Sequence, residues 1–268
     1  MQRHKIIDDA ETLLNSGIDK DQQQVYKEII KLLFQFDKSG GKLVLNAETI
    51  NLINKAEKEI LKALNNSGYK KRASGYLRDF DKIKQATISQ QKSLNNLNVS
   101  TRLLTNIQRG AVQQTEQMLI GNGLNANLIQ PVKDILLQSA SSAMTIPQAE
   151  SQLRQIILGD TERLGKLERY VTQISRDSIS QYDGIMQSRI QKEYELDGIS
   201  YEGSLIKDSR AQCVRWAAMG EIPVKDLKEE IKWAENNGSG MIPNTTPENF
   251  CSYRGGYNCR HFATAIRL

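Results

Sequence analysis

The first 130 residues contain no proline. The residue that most firmly interrupts helices is therefore missing from almost half of the chain. Apolar residues in that stretch recur at three- and four-residue steps, the period of an amphipathic helix. Ile6, Ile7, Ala10, Leu13 and Leu14 form a first stripe, ended by Gly17. Val25, Ile29, Ile30, Leu33 and Phe36 form a second, ended by Ser39-Gly40-Gly41. Asn46 is a good N-cap for a third helix, with Leu45 and Ile50 placed as a hydrophobic staple. Ile50, Ile53, Ile60, Leu61 and Leu64 carry that helix to Gly68. A fourth carries Tyr76, Phe80 and Ile83. Further helices are predicted at about 100–121, 126–142 and 147–158. The only strand expected in this region is a short one at Leu43-Val44-Leu45.

The last N-terminal segment is the longest. Asp160 is placed to cap it, and nothing stops it firmly before Glu195. Leu164, Leu167, Val171, Ile174, Tyr182 and Ile185 make one seam, which Gly184 weakens slightly. A helix over about 160–195 spans roughly 50 Å at 1.5 Å per residue. It reads either as a strut or inter-subunit contact, or as one long helix of an ordinary bundle.

The chain changes character near residue 196. Both tryptophans, all three cysteines and three of the five prolines lie beyond it. Residues 1–195 hold 27 basic and 22 acidic side chains, whereas residues 196–268 hold nine of each, so the net charge of +5 belongs to the first part. Spread so thinly, it permits contact with nucleic acid without demanding it. No apolar run is long enough for a membrane span, and the polar start, Met1-Gln2-Arg3-His4-Lys5, argues against a secretory signal. The expected fold is mainly α: an elongated helical N-terminal part, residues 1–195, followed by a small α+β module, residues 196–268.

In the module, Ile199 and Tyr201 alternate with polar residues as a short strand. Asp208 is placed to cap a helix over about 209–219. Ile222-Pro223-Val224 is extended, and Asp226 is placed to cap a second helix through Trp233. Gly255-Gly256 marks a tight turn before a final strand over 257–266. A domain of this size with few aliphatic side chains often needs a staple. Cys213, Cys251, Cys259 and His261 are the candidates. Cys259 and His261 would share one face of an extended strand, with Cys251 across the glycine turn and Cys213 on the helix. Four readings stay open: small buried apolar cysteines beside a bonded histidine, a Cys3His zinc site, a disulfide between two of the three, or a thiol–imidazole pair such as Cys213 with His261. No C-x-x-C pair strengthens the zinc reading. Arg210, in the first turn of the Asp208 helix, should have a partner, most simply a carboxylate of the module.

At these residues the chain resembles a known family. Tyr201-Glu-Gly-Ser-Leu-Ile-Lys-Asp208-Ser209-Arg210-Ala-Gln-Cys213, with Gly255-Gly256-Tyr257-Asn258-Cys259-Arg260-His261 after it, looks like the minor head proteins of tailed bacteriophages typified by protein F of phage Mu. The family joins an Asp-x-Arg-x-x-Cys or His segment to a later Asn-Cys-Arg-Cys or Asn-Cys-Arg-His segment. The likeness covers about residues 160–268, with its motifs at 201–261, and His261 stands where many members have cysteine. It implies a non-enzymatic virion protein made in the bacterial cytoplasm. Such a protein sits at the head or portal vertex and acts in head morphogenesis and genome packaging. The partners so implied are portal or capsid proteins in an oligomeric assembly, with the packaged DNA as a further candidate. Two other readings remain: a nucleic-acid-binding module with a Cys/His zinc site, and a phage-borne enzyme or toxin domain at 196–268. The chain has no phosphate-binding glycine loop and no hydrolase elbow.

Overall fold

A computed structural model describes residues 2–257 and 259–268. The chain is mainly α-helical, with a small three-stranded sheet near the C-terminus. Helices α1 (Gln2–Asn15) and α2 (Ile18–Leu33) are followed by a two-residue hairpin, β1 (Lys38–Ser39) and β2 (Lys42–Leu43). Then come α3 (Ala47–Ser67), α4 (Tyr69–Asn95), α5 (Thr101–Ile120), α6 (Asn122–Leu124), α7 (Gln130–Ser141), α8 (Ile146–Leu158) and α9 (Lys166–Glu193). The C-terminal stretch runs β3 (Gly198–Glu202), α10 (Ala211–Met219), β4 (Glu221–Pro223), α11 (Leu227–Asn237), α12 (Phe250–Tyr253) and β5 (Phe262–Ile266). No helix among the described residues is long and apolar enough to cross a membrane.

By contacts the chain forms two compact units: Met1–Asp9 with Arg78–Val112 and Arg176–Leu268, and Ala10–Leu77 with Gln113–Ser175. Residues 196–268 thus group with helical segments from earlier in the chain.

In the unit of Ala10–Leu77 and Gln113–Ser175, α2 packs on α3 and α8, and α7 packs on the same two helices. That closes a four-helix arrangement. Val25, Ile29, Ile53, Ile60, Val132, Leu136, Leu153 and Ile157 are buried in it, the first four at the helical spacing read from the sequence. Arg72 reaches the buried carboxylate of Asp21. The start of α3 is as expected: Asn46 Oδ1 accepts the Thr49 N–H at 2.9 Å. Leu45 and Ile50, the expected staple pair, are both exposed, and Thr49 Oγ1 donates to Val44 O at 2.8 Å. Asn46→Ala should cost about 1 kcal/mol, read as a lower urea midpoint with an unchanged slope.

Two boundaries differ from expectation. The helix predicted at 126–142 begins earlier and passes through a π-helical turn at Asn125–Ile129 before α7. Pro131 has no N–H to give to the carbonyl four residues back, and a wider turn accommodates it. Asp160 does not cap the long helix. Its Oδ1 accepts from the N–H groups of Glu162 and Arg163 at 2.9 and 2.8 Å, and Gly159 and Leu164 pair as a bridge. This closed turn delays the helix to Lys166 and leaves Leu164 exposed outside it. The seam of α9 is accordingly Leu167, Val171, Ser175, Ile179, Tyr182, Met186 and Ile190, all buried, while Ile185 is exposed and Ile174 half-buried.

In the other unit the sheet order is β4-β3-β5, antiparallel throughout. β5 is an edge strand, and its outward peptide groups are claimed by side chains, which protects the edge. Gln91 and Asn95 donate to Ala265 O at 3.0 and 3.1 Å. Ala265 N donates to Gln187 at 3.2 Å, and Arg267 N to Asn95 at 2.8 Å. The N-terminal end of α1 also reaches β5: Arg3 donates to Thr264 Oγ1 at 2.7 Å, and the His4 ring stacks on Phe262 at 3.7 Å.

Candidate metal centre

Three chain segments converge on one buried point. β3 supplies Tyr201, α10 supplies Cys213, and the irregular stretch before β5 supplies Cys259 and His261. The two sulfurs are 4.0 Å apart. Cys259 Sγ lies 3.6 Å from His261 Nδ1. The Tyr201 hydroxyl is 3.5 Å from each sulfur, and its ring stacks on the His261 ring at 5.2 Å. Cys213, Cys259 and His261 are 4%, 8% and 4% exposed.

The predicted strand over 257–266 starts only at Phe262. The reason lies in the preceding turn. Cys259 N donates to Gly256 O at 3.2 Å and Tyr257 N to Gly240 O at 3.0 Å, so neither N–H is free for a ladder. Gly256, at φ +99°, supplies the left-handed residue of that turn. Cys259 and His261 meet two residues apart, as expected, in an irregular stretch between that turn and β5. Asn258 of the family-like segment lies outside the described residues.

Asp208 does not cap α10. Ser209 closes a turn with Ile206, its hydroxyl accepting the Ile206 N–H at 2.8 Å, and the helix starts after Arg210, the N-cap residue, which makes no side-chain capping bond. The partner of Arg210 is main chain instead of a carboxylate: its guanidinium donates to Gly255 O at 2.8 Å and to Tyr257 O. It thereby holds the turn that presents Cys259. Cys251 is not in the group. It lies on α12, where burial pushes its thiol up to about 12, with a Ser188 hydrogen bond opposing. The hydrogen bond between Cys213 and Cys259 pulls the Cys259 thiol well down and pushes Cys213 well up. Burial opposes the shift at Cys259, while bonds with His261 and Tyr201 and the Arg254 charge reinforce it. The thiol nearest the imidazole is Cys259, at 3.6 Å.

Two participants are not among the donors read from the sequence, although each opens one of the family-like segments. Tyr201 is otherwise read as a strand residue, its inward place in the alternation being the available signal, and Gly255 as a turn residue. A Cβ there would collide with Cys213 Sγ and come within 2.9 Å of both Cys259 Sγ and the Tyr201 hydroxyl. Gly255→Ala should cost about 1–3 kcal/mol through overpacking and raise the reactivity of Cys213 and Cys259 toward a thiol reagent; unchanged reactivity would contradict this packing.

Behind the cluster, Tyr201 meets Trp216 edge-on at 5.5 Å. Trp216 Nε1 donates to Glu230 at 3.0 Å, and Arg215 grips the same carboxylate with two bonds of 2.7 Å. The Arg215 bond holds the Glu230 carboxyl below its ordinary 4.5, with burial opposing and the Trp216 bond assisting. A carboxylate so depressed contributes stability above its unfolded pKa and loses it as pH falls through the folded value. The gap in urea midpoint between wild type and Glu230→Gln should therefore shrink as the pH drops below 4.5.

On the outer side, a cleft of about 110 Å³ is lined by Asp208, Arg210, Cys213, Cys259, Arg260 and His261, among others. No family model, curated protein or solved structure matches the chain.

Proposed function

We propose that this chain is a structural minor head protein of a tailed phage, acting in head assembly and genome packaging near the portal. The observation that carries the reading is the meeting of the two family-like segments. Cys213 and Cys259, 46 positions apart in sequence, are in contact. Arg210 of the first segment binds the turn of the second at Gly255 and Tyr257. A sequence pattern whose halves build one buried knot has a physical reason to occur as a pair, which supports the resemblance. The reading assigns no reaction, and it places the protein in the virion with portal or capsid proteins as partners, after synthesis in the bacterial cytoplasm.

The test is made on phage particles produced from a genome encoding this chain. The expected result is the chain in purified, nuclease-treated virions at low copy, and heads that lack DNA or stay unfinished when the gene is removed. Normal yields of DNA-filled virions without the chain would overturn the reading.

A further inference from the structure

We infer that Cys213, Cys259 and His261 bind one zinc ion, with a solvent oxygen from the adjoining cleft as the fourth ligand. A tetrahedral zinc with bonds of about 2.3 Å to sulfur and about 2.0–2.1 Å to nitrogen needs edges of about 3.8 Å between sulfurs and about 3.5 Å between sulfur and nitrogen. The corresponding separations here are 4.0 and 3.6 Å. All three ligand atoms lie within 4.8 Å of one another. Two of the three edges thus match one ion, and the third, between Cys213 and His261, is within 4.8 Å and closes by a side-chain adjustment of about 1 Å or less.

Charge points the same way. Two thiolates and a neutral imidazole balance a divalent cation, so the loaded centre is neutral and its burial carries no net-charge penalty. The imidazole offers Nδ1 as its ligand atom, the nitrogen 3.6 Å from Cys259 Sγ. A disulfide between Cys213 and Cys259 would need the sulfurs about 2.05 Å apart. It would also give the imidazole at 3.6 Å no role. The surroundings are fitted to hold three donors: Arg210 fixes the turn carrying Cys259, Gly255 leaves the room the sulfurs occupy, and Tyr201 covers the imidazole face. Cys251 stands outside the centre, which separates this assignment from a four-ligand Cys3His site.

The inference does not rest on the head-protein reading, because metal binding is measured on the purified chain and its failure leaves that reading untouched. The full chain, purified under reducing conditions without chelator, should carry one zinc per chain by elemental mass spectrometry. Exchange with cobalt(II) should give the thiolate-to-metal charge-transfer band and the visible bands of a tetrahedral site. Cys213→Ser and Cys259→Ser should each weaken zinc binding at least tenfold, whereas Cys251→Ser should bind as wild type does. A chelator added to the wild-type protein should lower its melting temperature, a readout that needs no variant. Folded, fully reduced wild-type protein that takes up neither zinc nor cobalt at one equivalent would overturn the inference. Loss of zinc in Cys251→Ser equal to that in Cys213→Ser would overturn the ligand assignment.

Discussion

Replacing Asp183 by alanine should destabilise the protein by about 3–5 kcal/mol, the range for removing one partner of a buried ion pair. Asp183 and Arg3 meet at 3.2 Å with side chains 2% and 1% exposed. The contact lacks hydrogen-bond geometry at Arg3 Nε and Asp183 Oδ1, so the attraction there is Coulombic. Burial pushes the Asp183 carboxyl upward, and the charges of Arg3 and Arg254 pull it back. One carboxylate thus serves two buried guanidinium groups, and without it both are left in a low-dielectric interior. Arg3 would retain its bond to Thr264 and Arg254 its bond to His261 O, and neither neutralises charge. The urea midpoint is the measurement. The control is the double variant Arg3→Met with Asp183→Leu, which removes the Arg3 charge together with the carboxylate and should recover part of the loss, Arg254 remaining without its counter-charge. A loss below about 1 kcal/mol for Asp183→Ala would mean that solvent already screens the pair.

Trp216→Ala should cost a similar amount, about 3–5 kcal/mol for truncating a large buried aromatic residue. Trp216 is fully buried. It packs edge-on against Phe250 at 5.0 Å as well as against Tyr201 at 5.5 Å. Its removal leaves a cavity between the sheet and α12 and takes one donor from Glu230, which keeps Arg215. Tyr201 loses its backing, so the Cys213 and Cys259 thiols should react faster with a thiol reagent. Trp216→Phe keeps most of the packing and loses the indole donor, at a cost of about 1–3 kcal/mol. Equal losses for the alanine and phenylalanine variants would assign the whole effect to the hydrogen bond instead of the packing.

The mainly helical fold was legible because helix periodicity is local. Each turn is dictated by residues three and four apart, and Asn46, Gly68 and the apolar stripes are readable within a short window. The order of elements at the C-terminus was legible for the same reason, through Ile199 and Tyr201 alternating in β3 and Pro223 extending β4. So was the candidate set of donors, since cysteine and histidine are scarce in this chain and concentrated near its end.

What the sequence could not show is which surfaces meet. Gly184 reads as a weak point in a long helix; it is where the backbone at Cys251 and Ser252 approaches α9 too closely for any Cβ. Arg3 reads as a charged terminal residue; it is buried against Asp183 and Thr264, far along the chain. Arg210 reads as seeking a carboxylate; it binds two carbonyls made available by a turn more than forty residues on. That turn presents Cys259 and His261 to Cys213, whereas Cys251 lies on α12 outside the group. Local periodicity determined the helices and the donor inventory. Tertiary packing alone decided which donors share a point, because the distance between residues remote in sequence is set by how whole surfaces fit, and no local pattern records that.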